Sequence, residues 1–335
     1  MSTQSRIAWI DTLKGIGILT VVAGHIFPDA VSRYIFLFHM PLFFFIGGFL
    51  FKPAVDQKEY LAKKSFHLLV PYVAFLFLIY VPYELKEIMA GRETYVKAVI
   101  RPVLGGRYLI EWVSVFWYIT CFFLVQQLMN VLMNKVSKKV IDLLMLASLL
   151  ISYALSRFLP SFWLPWNADV VLAALPVFYL GYLYKGAQEQ ISRYKILLFV
   201  LLAGVIVFTY YYPANRYEMK SAVYGIPFVT LFSSLVVVLC LIALSKLIAT
   251  NGTISKVFNE LGAASMIVMF LHQPIQFIAK EQFGIIDPTT RFFIAVVLSM
   301  AGYYLLNSIA FGRAVFMGSL TDFKKIFSKE KLATV

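Results

Sequence analysis

The chain has 335 residues, 61% of them hydrophobic and only 14% charged, and its mean hydropathy is +0.79. A soluble domain averages about 45–50% apolar and about 25% charged residues, so this composition excludes an ordinary soluble protein and indicates a polytopic membrane protein. The net charge of +13 is matched by some nucleic-acid binders, but in a membrane chain it reflects cytoplasmic loops rich in Lys and Arg, and no nucleic-acid partner is expected.

The first apolar run, near 7–28, is too long and too interrupted by charge to be a cleavable signal peptide, and no small-residue cleavage site follows it. It carries Asp11, Lys14 and His25. Ionisable groups at membrane depth are costly and are functional candidates by default. Asp11 lies one turn before Lys14 and is expected to pair with it. Lys14 and His25 share a stripe but stand roughly 16 Å apart along a helix, so they cannot touch and need different tasks. Gly15, Gly17 and Gly24 predict close approach of a neighbouring helix or ligand.

Further apolar segments follow near 34–51, 66–90, 112–134, 140–159, 169–185, 195–212, 222–248, 261–281 and 290–311. The expected fold is therefore all-α, a single integral membrane domain over 1–335 with about ten transmembrane helices between 7 and 311. Residues 312–335 form a short basic tail. An even number of spans puts both termini on one side. Arg6, Lys52, Lys58, Lys63, Lys64, Arg313 and the tracts 135–139, 185–195, 246–256 and 324–331 fall on that side with them. The positive-inside rule makes it the cytoplasm, with the protein in the inner, cytoplasmic membrane. Residues 84–111 form the one long outer connection. They mix Lys86, Arg92, Lys97, Arg101 and Arg107 with Glu84, Glu87, Glu93 and Glu111, and Gly105-Gly106 suggests a partly buried excursion. These cations either attract an anionic acceptor or are neutralised locally by the glutamates.

Segment two contains His39, two turns below the outer interface, and His25 lies at similar depth in segment one. Two imidazoles on consecutive helices beside Lys14 suggest a site rather than packing alone. Pro41 is expected to kink its helix and free carbonyls near His39. His272, beside Pro274 in segment nine, is open between a packed hydrogen bond and a place in the site. Trp112 fits an interfacial belt, whereas Trp117 and Tyr118 lie deeper and suit an aromatic wall for a sugar or acyl group. Lys63, Lys64 and His67 precede segment three and are either headgroup contacts or a clamp for an anionic ligand. Cys121 and Cys240 show no metal spacing, and no metal is expected. No Walker loop, dinucleotide fingerprint, HExxH motif or hydrolase triad is present.

Lys14 and His25, a basic residue then ten residues then histidine, resemble the signature of the membrane acyltransferase-3 family, with Lys where Arg is commoner. The runs 10–16 and Phe38-His39-Met40-Pro41-Leu42-Phe43-Phe44-Phe45 look most like its fucose 4-O-acetylase-like branch. Lys63-Lys64 before Pro71-Tyr72, Phe116-Trp117-Tyr118 (with Tyr where the family has Phe), and Leu271-His272-Gln273-Pro274 resemble further family elements. The resemblance implies transfer of an acyl group, most simply acetyl from cytoplasmic acetyl-coenzyme A, to a hydroxyl of a surface polysaccharide, an exopolysaccharide sugar or a lipid-linked precursor. It implies Lys14, Lys63, Lys64 and His67 at the phosphate end of the donor, with Asp11 orienting Lys14. His25 is then the general base, or transiently carries the acyl group. His39 and Trp117 shape the pocket, and Tyr118, Glu111, Arg101, Arg107 and His272 face the acceptor. The lipid bilayer is a further partner, and oligomerisation is left open. The rival reading is a transporter or flippase for a glycolipid with a buried His/Lys proton relay, although no inverted repeat is visible. A polysaccharide polymerase would need long outer loops, and only 84–111 qualifies.

Overall fold

The computed structural model describes residues 7–327; Arg6 and the tail lysines Lys329 and Lys331 lie outside the described residues. The described residues are helical, with no strand beyond one isolated bridge between Glu218 and Val223. Nine helical stretches among them are long and apolar enough to cross a membrane. The expected seventh span, Lys195–Tyr211, is apolar but shorter, at 17 residues.

The chain divides into two compact units. Among the described residues, the first comprises 7–53, 128–164 and 168–265. It contains α1 (Ala8–Ile26), α2 (Asp29–Phe36), α3 (His39–Leu50), α9 (Lys138–Phe158), α10 (Val171–Ser192), α11 (Lys195–Tyr211) and α12 (Val229–Ile248). It also takes the end of α8 (Trp117–Lys135) and the beginning of α13 (Gly252–Glu281). Helices α1, α3, α10 and α12 pack together at its centre. Lipid is as apolar as leucine, so close backbone approach rather than a hydrophobic drive holds such helices together. Gly48 faces the Phe178 carbonyl of α10, and Gly181 faces the Phe45 carbonyl of α3. Gly15 and Gly262 meet reciprocally in the same way, against the carbonyls of Phe258 and Asp11.

These contacts leave no room for a Cβ, and a backbone carbonyl cannot swing aside. Gly48→Ala and Gly181→Ala are expected to lower the Tm of the detergent-solubilised protein, at the about 1–3 kcal/mol typical of over-packing. Gly204→Ala, where an added Cβ meets nothing within 4 Å, is the control and should leave Tm unchanged. Equal melting of all three variants would contradict the close approach.

The second span is broken, but not at Pro41 itself. Helix α2 ends at Phe36 and α3 begins at His39, with Phe38 at φ −132° and ψ −21° between them. A proline ring clashes with the carbonyl four residues earlier, here Leu37, so the break falls one turn ahead of Pro41. Pro41 then sits in the first turn of α3, where its missing N–H leaves nothing unsatisfied.

Among the described residues, the second unit comprises 54–127, 165–167 and 266–327. Its first span runs Gln57–Met89 as α4 (Gln57–Lys64), α5 (Val70–Phe75) and α6 (Val81–Met89), joined by π turns at Ser65–Leu69 and Leu76–Tyr80. Each π turn ends where a proline, Pro71 or Pro82, follows within two residues. The wider turn accommodates the missing donor without ending the helix. Lys63 and Lys64, expected ahead of the span, are therefore part of one continuous helical stretch. Beyond it come α7 (Tyr95–Leu104), two short 3-10 turns at Gly106–Tyr108 and Glu111–Phe116, and the opening of α8. The unit closes with the end of α13, then α14 (Pro288–Ser308), α15 (Ala310–Phe316) and α16 (Leu320–Phe327). Phe270 anchors its core, stacked on Phe75 at 4.5 Å and edge-on to Phe116 at 4.6 Å. The expected partly buried excursion is present. Gly105 and Gly106, both at positive φ, turn the chain so that Gly106 presses on Asn167, while Trp166 donates to the Val103 carbonyl at 3.0 Å.

Candidate active site

Within the first unit, α1 presents two separate clusters. Near its N-terminal end Lys14 donates to Asp11 Oδ1 at 3.2 Å, the pairing the spacing predicts. The pair keeps partial access to solvent, with side-chain exposures of 27% for Lys14 and 14% for Asp11. Thr12, fully buried, donates to Asn259 at 2.9 Å and fixes the rotation of α1 against α13. At the other end, the His25 and His39 rings lie 6.5 Å apart between centroids, and the Phe36 ring packs edge-on against both, at 5.8 and 4.9 Å. The histidines that the sequence brings to matched depth do converge.

They are not equivalent. His39 is buried, and its Nδ1 lies 2.9 Å from the Ile35 carbonyl. A carbonyl can only accept, so Nδ1 carries the proton and the ring is held in one tautomer with its lone pair on Nε2. The broken helix supplies that carbonyl, because the turn at Leu37–Phe38 replaces the regular ladder. His25, in the last turn of α1, is partly exposed.

In the second unit, Lys63 is exposed, and Lys64 Nζ lies 5.4 Å over the Tyr60 ring, a cation–π contact. His67, also exposed, hydrogen-bonds the Gly318 carbonyl at 3.4 Å. Trp117 is buried at the start of α8, with Tyr118 half-buried beside it at 6.3 Å between ring centroids. His272 is fully buried and repeats the His39 pattern, its Nδ1–H on the Val268 carbonyl at 2.9 Å. Glu111, exposed, accepts from the Tyr83 hydroxyl. Arg107 lies half-buried in the turn after Gly106.

The basic stretch 84–111 is largely neutralised from within. Arg101 pairs with Glu84 at 3.3 Å and with Glu93 at 2.6 Å, Arg92 with Glu87 at 2.6 Å, and Lys97 approaches Glu93 at 3.9 Å. The Thr94 N–H and the Arg101 charge hold the Glu93 carboxyl below its ordinary range. Of the two readings of this stretch, the geometry favours local neutralisation for Arg101.

A family model described as an acyltransferase domain matches residues 7–308. The chain belongs to the acyltransferase-3 family. No curated protein and no solved structure matches it. As a membrane acyltransferase it acts between an acyl donor and an acceptor at the bilayer. The two ends of α1 differ, cationic at one and imidazole at the other. No group of His, Cys, Asp or Glu that could hold a metal occurs among the described residues.

This acyltransferase also carries cations at the Lys14 end of the first unit that the sequence reading treats only as topology signals. Lys246, at the end of α12, lies 5.1 Å from the Trp9 ring and 5.7 Å from the Tyr184 ring, and donates to Gln188 at 3.3 Å. Lys185 donates to the Phe51 carbonyl and lies 5.3 Å from the Tyr182 ring. Neither lysine makes an ion pair among the described residues. A visible signal was available: each is a single lysine in the last turns of an apolar helix that also carries, or faces, an aromatic residue.

Proposed function

We propose that the chain transfers an acetyl group from cytoplasmic acetyl-coenzyme A to a sugar hydroxyl of a cell-surface or exopolysaccharide, or of its lipid-linked precursor, in the manner of the fucose 4-O-acetylase-like branch. The observation that carries this reading is the two-ended α1. Asp11 and Lys14 stand at one end near Trp9 and Lys246, and the His25–His39 pair stands three turns away. A donor with a polyanionic nucleotide and a long arm to its thioester matches that separation of roughly 16 Å.

Lys14, joined by Lys185 and Lys246, neutralises phosphate, and Trp9 offers an aromatic face. His25, the more accessible imidazole, takes the proton of the acceptor hydroxyl as that oxygen bonds to the thioester carbonyl carbon. The C–S bond breaks, and the coenzyme A thiolate leaves and recovers the proton from the His25 imidazolium. Sugar hydroxyls ionise far above neutrality, so a positioned base matters, by about 10²–10⁴ in rate. His39, locked on Ile35, shapes the pocket. The roles of Lys63, Lys64 and His67 toward the donor, and of Trp117, Tyr118, Glu111, Arg107 and His272 toward the acceptor, rest on the family resemblance.

Purified protein in detergent, where transport cannot occur, should move acetyl from acetyl-coenzyme A to polysaccharide. A protein that leaves acetyl-coenzyme A untouched with acceptor present would favour the glycolipid carrier instead. The donor's side of the membrane has its own test. With both termini cytoplasmic, a cysteine replacing Arg92 should react with an impermeant thiol reagent on whole cells, and one replacing Lys138 should not. The reverse pattern would overturn the topology and move the donor to the other face.

A further inference from the structure

Arg291 lies in the first turn of α14 with its side chain buried, the residue only 9% exposed. Its guanidinium, always charged, has five N–H donors. One of them, on Nη1, donates to Gln276 Oε1 at 2.8 Å, while Nε is buried with no partner. No carboxylate among the described residues pairs with it. Asp287, one turn earlier, feels its charge but accepts from the Thr290 N–H and hydroxyl, both at 2.7 Å. Arg92, Arg101 and Arg313 in the same unit each have a carboxylate within 3.0 Å or closer. A buried guanidinium in a membrane span without a counter-ion is costly to keep.

The charge also polarises a hydrogen-bonded series. Gln276 Nε2 donates to Gln273 Oε1 at 2.9 Å, and Gln273 Nε2 donates to Ser114 Oγ at 3.3 Å. Both glutamines are buried. The direction of the chain follows from its origin: Arg291 can only donate, so Gln276 must present its oxygen there and its NH₂ onward. Every member is polarised the same way. The series ends at Ser114, which accepts from Gln273 and keeps its own O–H to donate. Ser114 is half-buried, on the turn Glu111–Phe116 that leads into Trp117 and Tyr118.

We infer that Arg291 and the hydrogen-bonded series Gln276–Gln273–Ser114 form a binding site for an anionic oxygen, carboxylate or phosphate, of the acceptor. The Ser114 hydroxyl is the end that reaches the ligand, whose negative charge is favoured there by the series that Arg291 polarises. Assignment of that ligand as the acceptor rests on the acyl-transfer reading; the anion site itself does not.

The test uses the full chain in detergent, with thermal unfolding as the readout. The probes are glucuronate, glucose 1-phosphate and, as the neutral control, methyl glucoside, all at matched ionic strength. At least one of the two anions should raise Tm while methyl glucoside does not, and which one succeeds separates a carboxylate-bearing from a phosphate-bearing acceptor. Gln276→Glu offers Arg291 an internal carboxylate of nearly the same shape. That variant should melt at or above the wild-type temperature without sugar, yet lose the anion response. Its KM for the acceptor should rise about tenfold to a hundredfold, as expected for losing a charge-assisted hydrogen bond, with KM for the donor unchanged. Ser114→Ala should weaken the response and, by stripping the buried Gln273 amide of its acceptor, lower the basal Tm somewhat.

A purely structural polar chain would behave differently: Gln276→Glu would keep whatever sugar response the wild type has. That result, or no anion response in the wild type, overturns the site even if the protein proves an active acetyltransferase. A Tm increase with added phosphatidylglycerol and none with either sugar anion overturns the acceptor assignment. Absence of acetyl transfer alongside a clear anion response would instead overturn the reading of the catalytic centre.

Discussion

His25→Ala is expected to abolish acyl transfer while leaving donor binding and membrane insertion nearly intact. The residue lies in the last turn of α1, partly exposed, so truncating it removes a polar group from an accessible place rather than a packed core contact. What it loses is proton transfer in the transition state. kcat should fall by at least about 10²–10⁴, and KM for acetyl-coenzyme A should stay within a small factor. His39→Ala should differ in kind, because that ring is buried and tied to Ile35. Its removal should lower Tm as well as activity. A kinetic split separates the two roles open to His25. A covalent acyl-histidine gives ping-pong kinetics and a protein-bound label when acceptor is withheld; a general base needs both substrates and leaves no label. The accessible ring beside a locked partner supports direct transfer.

Lys14→Ala should fail at the other end of the same helix. In the proposed donor site the Lys14 contact to phosphate would be made equally in ground and transition states, so donor affinity should fall by about 1.5–3 kcal/mol with little change in kcat. The ion pair adds a second consequence. Without Lys14, the Asp11 carboxylate that it engages at 3.2 Å faces the donor's phosphates unneutralised. Asp11→Asn in the Lys14→Ala background should therefore recover part of the lost affinity, and Lys14→Arg should be tolerated, although the two side chains are not equivalent. Donor affinity read by isothermal titration separates these cases. Equal affinity in wild type and Lys14→Ala would remove α1 from the donor site.

The architecture was legible because it rests on composition and period. Long apolar runs predict spans, and Gly15 in α1 predicts the close helix approach that its contact with Phe258 displays. The Asp11–Lys14 pair and the meeting of His25 with His39 followed from spacing along one helix and depth along two. Other features depended on contacts no linear pattern encodes. The break at Leu37–Phe38 comes from Pro41 acting one turn upstream of itself. The span expected over 66–90 does pass Pro71 and Pro82, but the two π turns that let a 33-residue helical stretch do so leave no mark in the apolar pattern. For Arg101 the sequence leaves acceptor binding and local neutralisation both open, because which glutamate a loop arginine meets depends on the fold; Glu84 and Glu93 hold it. Arg291 was hidden for the opposite reason: one arginine near the start of an apolar helix looks like an interfacial anchor, and only its burial and its glutamine partners distinguish it.

The central claim, direct acetyl transfer through His25, is tested most directly by radiolabelled acetyl-coenzyme A with the purified protein and polysaccharide from the host surface, in detergent. The account predicts label on the polysaccharide with wild type and Lys14→Arg, none with His25→Ala, and none retained on the protein when acceptor is withheld. Full transfer by a correctly folded His25→Ala protein would contradict it.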